Sequence, residues 1–479
     1  MQLGRQIALA LRRPRAAEAT KPDDLRAEVL RLGLPAVAER LLGLLVSLVN
    51  GILVGHLGAA ALAAVGLSGN IEMIGMTFLQ AVSTGTTSLV AQSVGAKNRE
   101  LAQRMFEQSM LVGIGMGLAC VVVLLPTCRW TLVAMGAEPD TVTEGMRYLP
   151  YLTGTLPLMS MLTVGNAALR GAGNTKTPMY LMGAMNILNA ILSWVLIRGW
   201  GPIAPMGVLG AGIAAATSRS VAGLGVIFVL FSQRSPLPLK RLVNRPDRDI
   251  LRRLLDVGLP AGGENLLMRV AFLTYTRAIA SLGTVAYAAY TIASRVEHIT
   301  MMPAFGFSVA ATTLAGQSLG AGNIQRARRS VFRSIEIAMG VSMLGALAFV
   351  AFPRAMLSVF TTDQEIIRQG ILPLQILAAG QPLMAAAQCL SGGLRGSGDT
   401  RSTMWVTGIG GWLVRIPLTL LAVLVFKLGL PGVQVAMTLD WVVRTALYVW
   451  RFRPATGEER ARRAAAWLQR APRARAGAG

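Results

Sequence analysis

The sequence predicts an all-α integral membrane protein: twelve transmembrane helices in two parallel six-helix repeats around a central cavity. Three observations carry this. The 479-residue chain is 53% hydrophobic and only 14% charged, with a mean hydropathy of +0.53; a soluble domain carries about 25% charged residues. Twelve apolar stretches match the roughly 20 residues that a helix needs to cross a bilayer. Three segments recur at one fixed spacing.

The predicted spans are 33–55, 62–91, 104–126, 147–168, 178–198, 207–231, 257–281, 285–316, 330–352, 369–392, 403–426 and 430–451. They are too long and too continuous for barrel strands, so helices must satisfy the backbone within the bilayer. An N-terminal basic segment (1–31), a first lobe (32–231), a linker (232–256), a second lobe (257–452) and a basic tail (453–479) complete the predicted organisation. Residues 1–31 lack a cleavable leader pattern. In the tail, Thr456 and Glu459 fit a capping box, and Glu458–Arg470 reads as a basic interfacial helix.

The net charge of +23 invites a nucleic-acid reading, which its distribution opposes. Thirty-three of 46 Lys/Arg residues fall in alternate loops and in the two ends, and six lie on the opposite side. That asymmetry marks a cytoplasmic face carrying both termini, in a cell-membrane protein with an even number of spans. Three cysteines and two histidines, His56 and His298, suggest neither a disulfide framework nor a metal centre.

LGLPAVAERLL from Leu32 pairs with VGLPAGGENLL from Val257. TTSLVAQSVGAKN from Thr86 pairs with ATTLAGQSLGAGN from Ala311, and LRGAGNTKTPM from Leu169 with LRGSGDTRSTM from Leu394. All three pairs share an offset of 225 residues. An even number of spans per repeat orients both repeats alike, about an axis along the membrane normal. GAKN and GAGN read as sharp turns whose glycines take positive φ, and RGAGNT and RGSGDT as turns with an arginine facing the inner leaflet.

These residues carry a resemblance. LGLPAVAERLL with VGHLGAAALAAVG in the first repeat, and VGLPAGGENLL with RVEHITMMPAFGFSVAATTLAGQSLGAG in the second, resemble the multidrug and toxic compound extrusion (MATE) transporters over roughly residues 30–452. The resemblance implies two lobes, a cavity open to one side at a time, and export of small, cationic organic compounds driven by protons or sodium. It implies no cofactor beyond the coupling ion, no nucleic-acid partner, a lipid bilayer as surroundings, and function as a monomer.

Ionisable side chains at membrane depth are functional candidates by default. Glu39 and Glu264 stand at matching positions of the repeats, as do Glu72 and Glu297, and Asp440 lies in the last span. Tyr275 and Arg295 are further polar candidates in the second lobe. The resemblance adds Asn50, where many bacterial and archaeal members carry an aspartate. It also adds Asn189 and Ser193, where those members pair an asparagine with an acid four residues on. The first-lobe proton site of those members is thus neutral here; amides and hydroxyls leave a sodium site open. Asp440 and Arg444, four residues apart, are spaced for a simple ion pair.

The alternative is a flippase-like exporter of lipid-linked oligosaccharide or polysaccharide from the same superfamily, for which Arg269, Arg277, Arg295 and Arg415 would supply basic side chains. No nucleotide loop, zinc motif or nucleophile elbow supports a membrane enzyme. Methionines near mid-helix (Met73, Met76, Met301, Met302) suit a promiscuous binding surface.

Overall fold

The structure, a computed structural model, describes residues 22–201, 204–232 and 246–453. Most of the N-terminal segment and of the linker, and the capping box and basic helix of the tail, lie outside the described residues.

The first lobe comprises α1 (Pro22–Gly55), α2 (Ala59–Gly95), α3 (Arg99–Ala134), α4 (Pro139–Gly154), α5 (Leu156–Gly171), α6 (Lys176–Arg198) and α7 (Gly207–Phe231). The second comprises α8 (Arg248–Ala280), α9 (Thr284–Gly320), α10 (Ile324–Ala351), α11 (Pro353–Ser358), α12 (Gln364–Gly396), α13 (Thr400–Val425) and α14 (Gly429–Arg451). Among the described residues, nine helices are long and apolar enough to cross a bilayer, and α4 with α5, bent by 48°, forms a tenth span. The other two predicted spans are α8 and α14. They have the length, but Glu264, Asn265 and Arg269 in one and Gln434, Asp440 and Arg444 in the other lower their hydropathy. Several helices overrun the predicted spans, because hydropathy marks the bilayer-immersed part while the hydrogen-bonded helix continues through the interface. The bend in the fourth span follows Pro157, whose ring removes a backbone donor.

The repeat shows in the caps. Asn98 and Asn323, equivalent at the 225-residue offset, accept from the backbone N–H of Leu101 and Arg326 at 2.9 and 2.8 Å. Asn174 and Asp399, also equivalent, accept from Thr177 and Ser402 at 3.1 and 3.2 Å. One turn differs from expectation. In GAKN the residue with positive φ is Lys97 (57°), not a glycine, whereas GAGN uses Gly322 (75°).

Gly95 and its equivalent Gly320 have another role: each packs its Cα against a backbone carbonyl of the other lobe, that of Gln317 or Gln92, where a Cβ has no room. Nearby, α1 and α2 pack on α8 and α9, with Gly33 under Phe307, Gly306 against Val37 and Gly258 against the Ala81 carbonyl. Among the described residues, cross-lobe hydrogen bonds and close glycine contacts run from these basic turns to Arg269, which reaches Thr77 (3.2 Å) and Met73. Both described chain ends lie at this basic end, since Arg31 O accepts from Thr175 and Arg451 pairs with Asp399.

Candidate functional site

A cavity of about 510 Å³ lies between the lobes, walled by Arg40, Gln80 and Thr84 of the first lobe and otherwise by α8, α9, α12, α13 and α14. Its surface mixes aromatic rings (Phe272, Tyr275, Tyr290, Phe305, Trp441) and methionines (Met268, Met301, Met437) with charged groups. Large apolar rings with a few convergent polar groups suit an organic ligand.

Glu264 on α8 faces this cavity and is fully engaged. Arg395 lies at 2.7 Å, and the hydroxyls of Thr403 and Thr407 donate to it at 2.8 and 3.0 Å. Its equivalent Glu39 pairs with Arg170 at 3.5 Å, away from the cavity wall. Arg170 and Arg395 are the arginines of RGAGNT and RGSGDT. Instead of facing lipid, each turns inward to the matching glutamate, because a carboxylate buried between helices needs a counter-ion.

Asp440 on α14 is fully buried. It joins Arg444 at 2.6 Å and Arg415 at 2.7 Å, so the i, i+4 pair read from the sequence has a second arginine. The Arg415 guanidinium lies 5.6 Å over the Tyr275 ring and 5.7 Å over Trp441, which Arg444 also faces at 5.2 Å. Two features of the backbone permit the cluster. The stretch Ile409–Arg415 of α13 is π-helical, a distortion that recurs at functional sites. Gly410 leaves space that a Cβ would take from Asp440 and Arg444.

Glu297 on α9 is 6% exposed and lines the same cavity. It makes no ion pair among the described residues; the amide of Gln381 meets its carboxylate, while Thr300 donates to Gln381 Oε1 at 3.0 Å. The first-lobe equivalent behaves differently. Glu72 pairs with Arg219 at 2.5 Å and is off the cavity wall. Arg219 and Arg444 are themselves equivalent at the 225-residue offset. In the second lobe Asp440, standing where the first has Ala215, takes that arginine, and Glu297 is left without one.

Asn50, Asn189 and Ser193 form a separate first-lobe cluster between α1 and α6. Asn50 Nδ2 donates to Asn189 Oδ1 at 2.6 Å, and Ser193, 2% exposed, follows one turn along α6. None of the three lines the cavity. Arg295 is a miss: two residues from Glu297, it projects from another face of α9, is exposed, and lies outside the cavity wall. Sequence reasoning passed over Arg40 and Gln381, the latter a support group on α12, and read His298, a wall residue on α9, only as an unlikely metal ligand. Arg415 was seen only as a basic residue. The arginines offered for a lipid-linked anion do not converge: Arg269 reaches across to α2, Arg277 and Arg295 are exposed elsewhere, and Arg415 is held by Asp440.

Two parallel repeats of membrane-spanning helices meeting at a polar cavity define the architecture of a membrane transporter. The MatE family pattern matches residues 35–195 and 260–421, once in each repeat, and the chain belongs to the MatE family. A relative from Thermotoga maritima, "Probable multidrug resistance protein NorM", is 30% identical over 438 residues, covering 91% of this chain and 94% of that protein. "Probable multidrug resistance protein YoeA" of Bacillus subtilis is 26% identical over 91% of this chain and 96% of its own length. Among solved structures, an outward-facing multidrug resistance MATE transporter of the MOP superfamily superposes with a TM-score of 0.85 at 24% identity, covering 94% of this chain and 99% of the other. A MOP superfamily transporter from Pyrococcus furiosus superposes with a TM-score of 0.84 at 24% identity, covering 94% and 100%.

Proposed function

We propose that this protein exports small organic compounds from the cell by ion-coupled antiport, through alternating access of the cavity between its lobes. The multidrug-resistance names of its relatives support the cargo class. The observation that carries the mechanism is Glu297: a buried, cavity-lining carboxylate without an ion pair among the described residues, where Glu39, Glu72, Glu264 and Asp440 each have one. A carboxylate held that way can take up the coupling ion or a cationic group of the cargo, but not both. Competition for one site is the simplest basis of antiport.

The basic end is the cytoplasmic one on this reading, by the positive-inside rule. The lobes are joined there, which supports an outward-open reading in which export requires the contacts around Gly95 and Gly320 to separate.

The test is efflux of a fluorescent organic cation from proteoliposomes under an imposed proton gradient, then a sodium gradient. Glu297→Gln is expected to abolish gradient-driven efflux and to weaken binding of the cationic dye. Glu72→Gln, which breaks a first-lobe ion pair, is expected to lower thermal stability before it alters coupling. Wild-type coupling in Glu297→Gln would overturn the assignment.

A further inference from the structure

We infer that Arg40 anchors a carboxylate of the cargo, so that the cavity takes zwitterionic organic molecules with the cationic end at Glu297 and the anionic end at Arg40. The inference rests on the reading that this cavity is the cargo site. Four arginines line the cavity. Arg395 has Glu264, and Arg415 and Arg444 share Asp440. Arg40 makes no direct ion pair or hydrogen bond among the described residues; the neighbouring Glu39 acts on it only through space and pairs directly with Arg170.

The fold does not require the charge: the equivalent position in the second repeat is Asn265, which lines the same cavity. Arg40 is exposed where it lines the cavity, so its guanidinium is open to an anion supplied from outside the chain. Its presentation fits as well. The guanidinium stacks 5.4 Å over the Phe305 ring. Stacking on a ring face fixes the planar group and leaves its N–H edge free for the two oxygens of a carboxylate.

Phe305 and Glu297 lie on one helix, eight residues apart, which is about 12 Å along the axis at 1.5 Å per residue. The two unpartnered charges of the cavity therefore stand at opposite ends of a wall carrying Met301. This selects an elongated molecule with an aromatic or aliphatic body between its charges, and disfavours a free amino acid.

A rhodamine dye with a free carboxyl group and the same dye as its methyl ester separate the two charges. Binding of each would be read by fluorescence anisotropy in detergent, and efflux from proteoliposomes, for wild type, Arg40→Gln and Arg40→Lys. Wild type is expected to bind the acid more tightly than the ester. Arg40→Gln should weaken the acid tenfold or more and leave the ester within twofold, and Arg40→Lys should recover part of the difference. Equal binding of acid and ester by wild type, or equal loss of both in Arg40→Gln, overturns the inference. Acid selectivity in binding without gradient-driven efflux of either dye would retain the Arg40 assignment and sink the antiport reading instead.

Discussion

Gln92 and Gln317 occupy equivalent positions in the two repeats, and each donates across the lobe boundary to a helix-end carbonyl. Gln92 Nε2 reaches Gly396 O at 3.0 Å, and Gln317 Nε2 reaches Gly171 O at 2.9 Å. Gly171 and Gly396 close α5 and α12, and the last carbonyls of a helix have no partner within it. Each lobe thus lends the other a donor for an orphaned acceptor, and Ser88 and Thr313 add hydroxyls at 3.3 and 3.0 Å to Gly396 O and Arg170 O.

Replacing both glutamines by leucine should therefore shift the conformational equilibrium away from the joined state. A neutral hydrogen bond contributes about 0.5–1.5 kcal/mol, so losing two changes the balance by about 1–3 kcal/mol, or roughly five- to 150-fold in population. Spin labels at Arg99 and Gln325, exposed residues of opposite lobes at this end, would report it as a new, longer distance. An unchanged distribution would show that the pair does not latch the lobes.

Gly95→Ala and Gly320→Ala should act in the same direction and more strongly. The added methyl meets backbone, the carbonyl of Gln317 or Gln92, and backbone cannot swing aside as a side chain can. The joined state becomes inaccessible unless helices move, whereas Gly51→Ala, with open space around its Cα, should leave distances and transport as in wild type.

Asp440→Asn should be the most destabilising single change in the second lobe. It strips the counter-ion from two buried guanidiniums, and breaking a buried pair from one side costs about 3–5 kcal/mol. A fall of several degrees in thermal unfolding in detergent is expected, against no measurable change for Glu100→Gln, whose partner Arg104 is solvent-accessible. Equal melting of the two variants would refute the claim.

The spans and the repeat were legible in the sequence because both are one-dimensional: hydropathy is local, and an offset of 225 residues needs no coordinates. The same offset paired Glu39 with Glu264 and Glu72 with Glu297, of which Glu264 and Glu297 line the cavity. Their condition was not legible. The symmetric code suggests that Glu72 and Glu297 share an environment, yet one is neutralised by Arg219 and the other is not. The visible difference is a third residue, Asp440, on a helix distant in sequence, which holds Arg444. Arg295 misled for a related reason: nearness in sequence to Glu297 says little when two residues turn a helical side chain by about 200°. Arg40 carried no signal beyond the mismatch with Asn265, visible only once the repeat is aligned.

The hold of Asp440 on Arg444 makes a last prediction. Arg415 and Asp440 stand where the first lobe has Ala190 and Ala215. The double variant Arg415→Ala with Asp440→Ala therefore writes the first-lobe pattern into the second. It removes a charge and its counter-charge together, so the large penalty of a lone buried ion is avoided, and Arg444 loses the carboxylate that holds it. Arg444 should then turn to Glu297, as Arg219 turns to Glu72. Gradient-driven efflux should fall to the level of Glu297→Gln although Glu297 itself is intact, with an unfolding temperature above that of Asp440→Asn. Wild-type coupling in the double variant would mean that Glu297 does not owe its availability to Asp440, and that the asymmetry between the lobes has another origin.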